Sequence, residues 1–282
     1  MDLGVTIFLT DQSIDPVTLA REVESRGFTS LWLPEHTHIP TSRRTPAPMG
    51  EPLNEEYRRC LDPFVAMGMV AAVTDTLRVG TGIALLAERD PIVTAKEVAT
   101  LDHCSGGRVS LGVGYGWNIE ELENHGGSKA TRRAVVRERV LAMQNLWGDE
   151  EASFDGDHVH LAPSWAWPKP VQKVRGRTGV PVLVGGAPGP LLFQHIAEFA
   201  DGWIPVGGAG VAAAMTDLRA ASEQVGRDPS EIAVVPFGTL PEQGKLDHYE
   251  TLGITETVLR LPSAGRDEVL ATLDSFVPFL RP

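Results

Sequence analysis

Short apolar runs alternate with amphipathic helical stretches from one end of the chain to the other. The runs 2–8 (DLGVTIF), 29–33 (TSLWL), 78–84 (RVGTGIA) and 108–114 (RVSLGVG) are mostly hydrophobic, and so are 180–184 (VPVLV), 201–206 (DGWIPV), 232–237 (IAVVPF) and 255–260 (TETVLR). Runs of that length without polar alternation are expected of strands covered on both faces, as in a parallel sheet. Helix starts are written between them. Asp15-Pro16, Asp62-Pro63 and Asp90-Pro91 each put a capping carboxylate before a proline at the first helical position. Gly27 ends the first of these helices, and across 129–147 Val136, Val140, Met143 and Trp147 recur at helical spacing.

Eight strand-then-helix units are the count for an α/β fold of the (β/α)8 barrel type, expected as a single domain over residues 1–282. A doubly wound open sheet is the competing arrangement of the same elements. The segment RVSLGVGYGWNIEE tests that competitor, because its glycines at 112, 114 and 116 resemble a nucleotide fingerprint. G-x-G-x-x-G would need a third glycine at 117, where Trp117 stands, and an acid about 20 residues later. That later region is an arginine-rich helix, and the segment lies in the fourth unit rather than the first. The dinucleotide reading fails. Two insertions interrupt the rhythm: a Pro-rich loop at 34–61 after strand two, long enough for a lid, and a hairpin-like stretch at 151–172 before strand five.

Composition narrows the partners. The 282 residues carry a net charge of −12, which argues against general binding to nucleic acid or an anionic membrane. No apolar run reaches roughly 18 residues, and the start of the chain lacks the pattern of a signal peptide. Cys60 and Cys104 are too few for a disulfide framework, so a reducing, cytoplasmic setting is expected.

In a barrel of this kind the chemistry sits where strands hand over to helices. Strand two ends in Glu35-His36-Thr37-His38, strand three in Gly82-Ile83-Ala84 and strand four in Gly114-Tyr115-Gly116-Trp117-Asn118. Strand five ends in Gly185-Gly186-Ala187-Pro188-Gly189, and strand eight in Arg260. Glycine at so many handovers suits close backbone approach to a large ligand, although tight turns alone would also use it. Gly185 to Gly189 leads into a helix, and the free N–H groups of such a turn suit an anion. His36 beside Glu35 is a pair that can be tuned for proton transfer. His36 and His38 lack a third ligand at metal spacing, so no metal is expected. His158 and His160 read as solvent-facing, and His103, His125, His195 and His248 as structural or surface residues. Phosphate-loop, nucleophile-elbow and zinc-protease patterns are absent from the sequence.

The block 61–126, with its run SGGR-x-x-LGVG-x-GWN-x-x-E, resembles the central part of the bacterial luciferase-like monooxygenase superfamily. More narrowly it is similar to the coenzyme F420-dependent oxidoreductase branch, and the likeness continues in LWLPEHTHIP and PVLVGGAPGP. The resemblance implies a TIM barrel that holds a flavin or deazaflavin at its C-terminal mouth. Gly82, Ile83 and Ala84 then match a bulge with a cis non-prolyl peptide that backs the tricyclic ring. Gly116, Trp117 and Asn118 match the turn against the cofactor's side chain, and Gly185, Gly186 and Ala187 its phosphate cradle. Glu35 and His36 match an acid–histidine pair beside the reactive ring, the proton-handling residues. Lys173, Arg175 and Arg177 either meet the anionic tail or, as charge runs usually do, lie on the surface. The implied activity is F420-dependent hydride transfer to or from a small-molecule substrate framed by Phe8 and the two insertions. Reduced FMN with oxygen is the alternative chemistry, and a non-catalytic flavin-binding protein the alternative of another class. Relatives are often dimers, so a homodimer is the assembly the resemblance suggests.

Overall fold

The computed structural model describes residues 1–208 and 210–281. Its eight principal strands are Asp2–Thr6, Ser30–Leu33, Arg78–Ala84, Val109–Val113, Val182–Gly185, Gly202–Ile204, the split strand Ala233–Val234 with Phe237–Thr239, and Glu256–Arg260. Strands one to six pair in parallel in sequence order, and strand one also pairs with strand eight. Strand seven closes the ring. Its first half pairs with strand six, its second half with strand eight, and Phe237 also bridges to Val206. The break between the halves falls at Val235-Pro236, where proline has no N–H to give to a ladder. The expected barrel is therefore the fold, with strands a residue or two shorter at most ends than the apolar runs.

The helix starts follow the capping chemistry in the sequence. Asp15 accepts from the Thr18 N–H and Asp62 from the Val65 N–H, each at 2.9 Å, while Asp90 accepts from both Ile92 and Val93. Val136, Val140, Met143 and Trp147 are all buried on the helix Arg132–Gly148. The second insertion contains the antiparallel hairpin Ala152–Asp155 and His160–Ser164, followed by a two-residue ladder joining Lys173–Val174 to Arg177–Thr178. Among the described residues no helix is long and apolar enough to cross a membrane.

Strand side chains alternate, so each strand gives one set to the helices and one to the lumen. Leu3, Val5, Ile7, Leu31 and Leu33 belong to the main core between sheet and helices. Trp32, Leu183, Ile204, Val235, Phe237 and Val258 form a separate lumen cluster, with Ile83 packed on it. Glycines make this interior possible. A Cβ on Gly80 would lie 2.5 Å from the Trp32 ring, and one on Gly114 would collide with the end of Ile83. A Cβ on Gly112 would strike the Thr81 carbonyl oxygen, which is backbone and cannot swing away. Gly112→Ala should accordingly destabilise the fold by about 1–3 kcal/mol, a drop of roughly 3–10 °C in thermal midpoint. Gly244→Ala has open space around it in the helix Gln243–Thr251 and should be neutral or stabilising by about 0.5–1 kcal/mol in the same melting experiment.

Candidate active site

The lumen parity of strand two runs through Ser30 and Trp32 to His36, which is buried at the mouth. Its ring is held from two sides. Nδ1 lies 2.7 Å from Oε2 of Glu121, and the indole N–H of Trp117 donates to Nε2 at 3.2 Å. An indole nitrogen only donates, so Nε2 is the accepting nitrogen and the ring proton resides on Nδ1, given to the carboxylate. Glu121, fully buried, also accepts from the Thr37 N–H at 2.9 Å and the Thr37 hydroxyl at 3.3 Å. Burial alone would raise its carboxyl; the hydrogen bond from His36, with the N–H groups of Thr37 and His38, outweighs that and holds it below the usual range.

Glu35 does not join this pair. Its carboxylate accepts from the Leu85 N–H at 2.7 Å and from Arg89 Nε at 2.6 Å, and Arg89 also binds Asp62 and Glu97. The expectation that Glu35 tunes His36 is thus corrected: the two neighbours turn to different partners, Glu35 to Leu85 and Arg89 and His36 to Glu121. Glu35 instead ties the end of strand two to the loop after strand three. The carboxylate that serves His36 is Glu121, at the last position of the GWN-x-x-E run, a partner that adjacency along the chain does not mark.

The turn Gly116-Trp117-Asn118 contributes more than backbone. Gly116 has φ +75°, in the region that favours glycine, and Trp117 packs edge-on against His36 with ring centroids 5.6 Å apart. Asn118 is 1% exposed; its amide N–H reaches Glu121 at 3.4 Å, while its Oδ1 has no partner among the described residues. The peptide Gly82–Ile83 is cis, and the strand three register shifts between Thr81 and Ala84. Ala84 is buried, and Gly82 and Ile83 are half-buried beside Phe237 and the glycines Gly114 and Gly185. Gly185 is buried, Gly186 half-buried and Ala187 exposed, in a loop whose helix, Pro190–Phe199, starts at Gly189 with no side-chain cap. Nearby, Arg133 stacks on Tyr115 at 5.4 Å.

The first insertion covers this mouth. Tyr57 stacks with Phe8 at 4.8 Å and lies 5.3 Å from His36 and 5.9 Å from Trp117. The loop docks on the helix Ile119–Asn124, where Glu120 accepts from the Arg44 N–H at 2.8 Å and the Thr45 hydroxyl at 2.7 Å. His125 and His38 both reach the Thr37 hydroxyl, at 2.8 and 2.9 Å, and so brace the loop from below. The run Lys173, Arg175 and Arg177 lies elsewhere. Arg175 pairs with Asp201, ahead of strand six, and Arg177 with Asp149, which places them at the N-terminal end of the barrel. His160 pairs with Asp155 on the exposed hairpin.

Glu88 is a third carboxyl at the mouth, its side chain 1% exposed and neither oxygen hydrogen-bonded among the described residues. Burial, reinforced by the charges of Glu121 and Glu35, pushes it up from 4.5 to about 8. The unfolded chain loses this proton near 4.5 and the native protein near 8, so stability contributed by the native proton fades as pH rises across that window. Glu88→Gln should match wild type near pH 4 and exceed it by on the order of 2–4 kcal/mol at pH 8, read from urea melts at both pH values.

Known proteins resemble the chain. A mycobacterial protein from Mycobacterium tuberculosis, described only as uncharacterized, is 42% identical over 97% of this chain and 96% of its own length. Among solved structures, the monooxygenase RslO1 from Streptomyces bottropensis superposes with a TM-score of 0.78 at 20% identity, covering 99% of this chain and 98% of its own. An F420-dependent secondary alcohol dehydrogenase in complex with an F420-acetone adduct superposes with a TM-score of 0.75 at 18% identity, with the same coverage of both chains. At those identities the likeness is one of fold. The sequence model of the luciferase-like monooxygenase family matches residues 12–240, and the chain belongs to that family.

Proposed function

We propose that the chain is an F420-dependent oxidoreductase that passes a hydride between deazaflavin C5 and a small organic substrate. The observation that carries this reading is the buried His36 imidazole, protonated on Nδ1 toward Glu121 and presenting Nε2 as its acceptor. That is the arrangement of a general base whose imidazolium is stabilised by an oriented carboxylate.

The residues present fit a flavin-type group. Asn118 Oδ1 is an unpartnered buried acceptor, the loop Gly185-Gly186-Ala187 precedes an uncapped helix start, and Gly82 and Ile83 stand beside them, Ile83 against Gly114 and Gly185, whereas Ala84, fully buried in the core between sheet and helices, does not reach the mouth. When bound, the cofactor supplies the ring that gives or takes the hydride, chemistry no side chain provides. His36 takes the proton of a substrate hydroxyl at Nε2, or returns it in the reverse direction. To do so it exchanges the Trp117 N–H for the substrate hydroxyl. Glu121 keeps the imidazole in its tautomer and balances the charge it gains. Tyr57, Phe8 and the loop above them exclude water, which strengthens both contacts.

Reduced FMN with oxygen is the competing chemistry, since both cofactors share a ring shape and a phosphate-bearing chain. Fluorescence titration separates the two: F420 should bind at micromolar or lower concentration and FMN far more weakly, whereas tight FMN binding without F420 binding reverses the order. Binding of either without turnover on any substrate would favour a carrier protein. With F420 bound, His36→Ala should lower kcat by roughly 10²–10⁴ at unchanged cofactor affinity. Glu121→Gln should also lower kcat, by roughly tenfold or more, because it removes the orienting charge while keeping the shape. Wild-type turnover in either variant contradicts the assigned roles.

A further inference from the structure

Strand eight carries a lumen-facing column that the chemistry above does not use. Glu256, at its base, accepts from Ser30 at 2.6 Å and Arg78 at 2.8 Å, and Val258 sits in the lumen cluster. The next residue of the same parity is Arg260, exposed at the mouth and paired across the ladder with Thr6. Among the described residues it makes no ion pair, although the chain carries a net charge of −12 and both Arg89 and Arg43, near the same mouth, have acidic partners. Its charge reaches Tyr57, where it opposes the effects of burial and of Glu56. Glu56 itself is bonded by the Asn54 amide at 3.4 Å and does not pair with Arg260.

We infer that Arg260 is the substrate's anion anchor, so that the substrate carries an oxyanion, a carboxylate or a phosphate, at a distance from its reacting carbon. Two features set this apart from the cofactor cradle. Strands eight and one lie across the ring from strands four and five, whose glycine loops form that cradle. Between Arg260 and His36 stands the aromatic pair Phe8 and Tyr57, a wall for the apolar body of a ligand. An arginine fork binds an oxyanion through two parallel N–H bonds and fixes its orientation, which positions the far end of the molecule. Which end reacts rests on the oxidoreductase reading; the anion site itself does not.

The test uses the cofactor-free full chain, with benzoate, inorganic phosphate and benzyl alcohol as probes followed by calorimetry and tryptophan fluorescence. Wild type should bind benzoate or phosphate saturably and more tightly than benzyl alcohol. Benzoate alone indicates a carboxylate substrate, and phosphate a phosphate ester. Arg260→Gln should weaken anion binding roughly 10- to 100-fold, the size of one or two charge-assisted hydrogen bonds, at an unchanged thermal midpoint. Arg219→Gln, on the distant helix Val211–Gln224, should leave it unaltered. Equal anion binding in wild type and Arg260→Gln, or none in wild type, overturns the assignment. Arg260-dependent anion binding in a protein that takes up neither F420 nor FMN would uphold it and overturn the oxidoreductase reading instead.

Discussion

The alternation of side chains on a closed ring of parallel strands is the constraint from which the site follows. Every second residue must enter a lumen narrow enough that Trp32, Phe237 and Ile83 fill it only because Gly80, Gly82 and Gly114 yield room. The same parity carries each column upward to the mouth: Gly4, Thr6 and Phe8 on strand one, Trp32 and His36 on strand two, Val258 and Arg260 on strand eight. What stands at the mouth is thus selected two residues at a time, and the residues between face the helices. Chemistry at the mouth and packing in the lumen are consecutive layers of one pattern.

Three carboxyls are buried around that mouth, and each is reconciled with burial differently. Glu35 faces outward and is neutralised by Arg89 and an N–H of the next loop. Glu121 keeps its charge because His36 and Thr37 bond it. Glu88 has no hydrogen bond among the described residues, only His125 3.8 Å away, and stays protonated into the neutral range instead. Three ionised carboxylates so close together would repel one another, and the structure avoids this by pairing two and protonating the third. Only Glu121 is therefore free to act on a lumen-facing imidazole.

Much of this was legible in the residues. Continuous apolar runs located all eight strands, because strands covered on both faces leave no polar alternation to blur them, and the Asp-Pro pairs marked three helix starts. Strand seven's interruption was also written there, in the proline of IAVVPF, but a single proline does not say that the two halves serve different neighbours. The partner of His36 was not legible. Adjacency suggested Glu35, while the true contact joins residues 85 positions apart and depends on how two loops meet. The raised carboxyl of Glu88 is equally a product of tertiary burial, invisible in the run LLAERD. The basic run at 173–177 shows the opposite case: its charge pattern admitted a cofactor contact, and chain topology sends it to the far end of the barrel.

His36 is held as a neutral imidazole with its proton on Nδ1 toward Glu121 and its Nε2 accepting from the Trp117 N–H. Nitrogen-15 NMR of the histidine-labelled protein, with His36 assigned by comparison to His36→Ala, reads that tautomer directly. A pyrrole-type Nδ1 and a pyridine-type Nε2 are expected for His36 in wild type, with the Nδ1 proton in a strong hydrogen bond that is altered in Glu121→Gln. A His36 resonance pair showing the proton on Nε2, unchanged by Glu121→Gln, would contradict it.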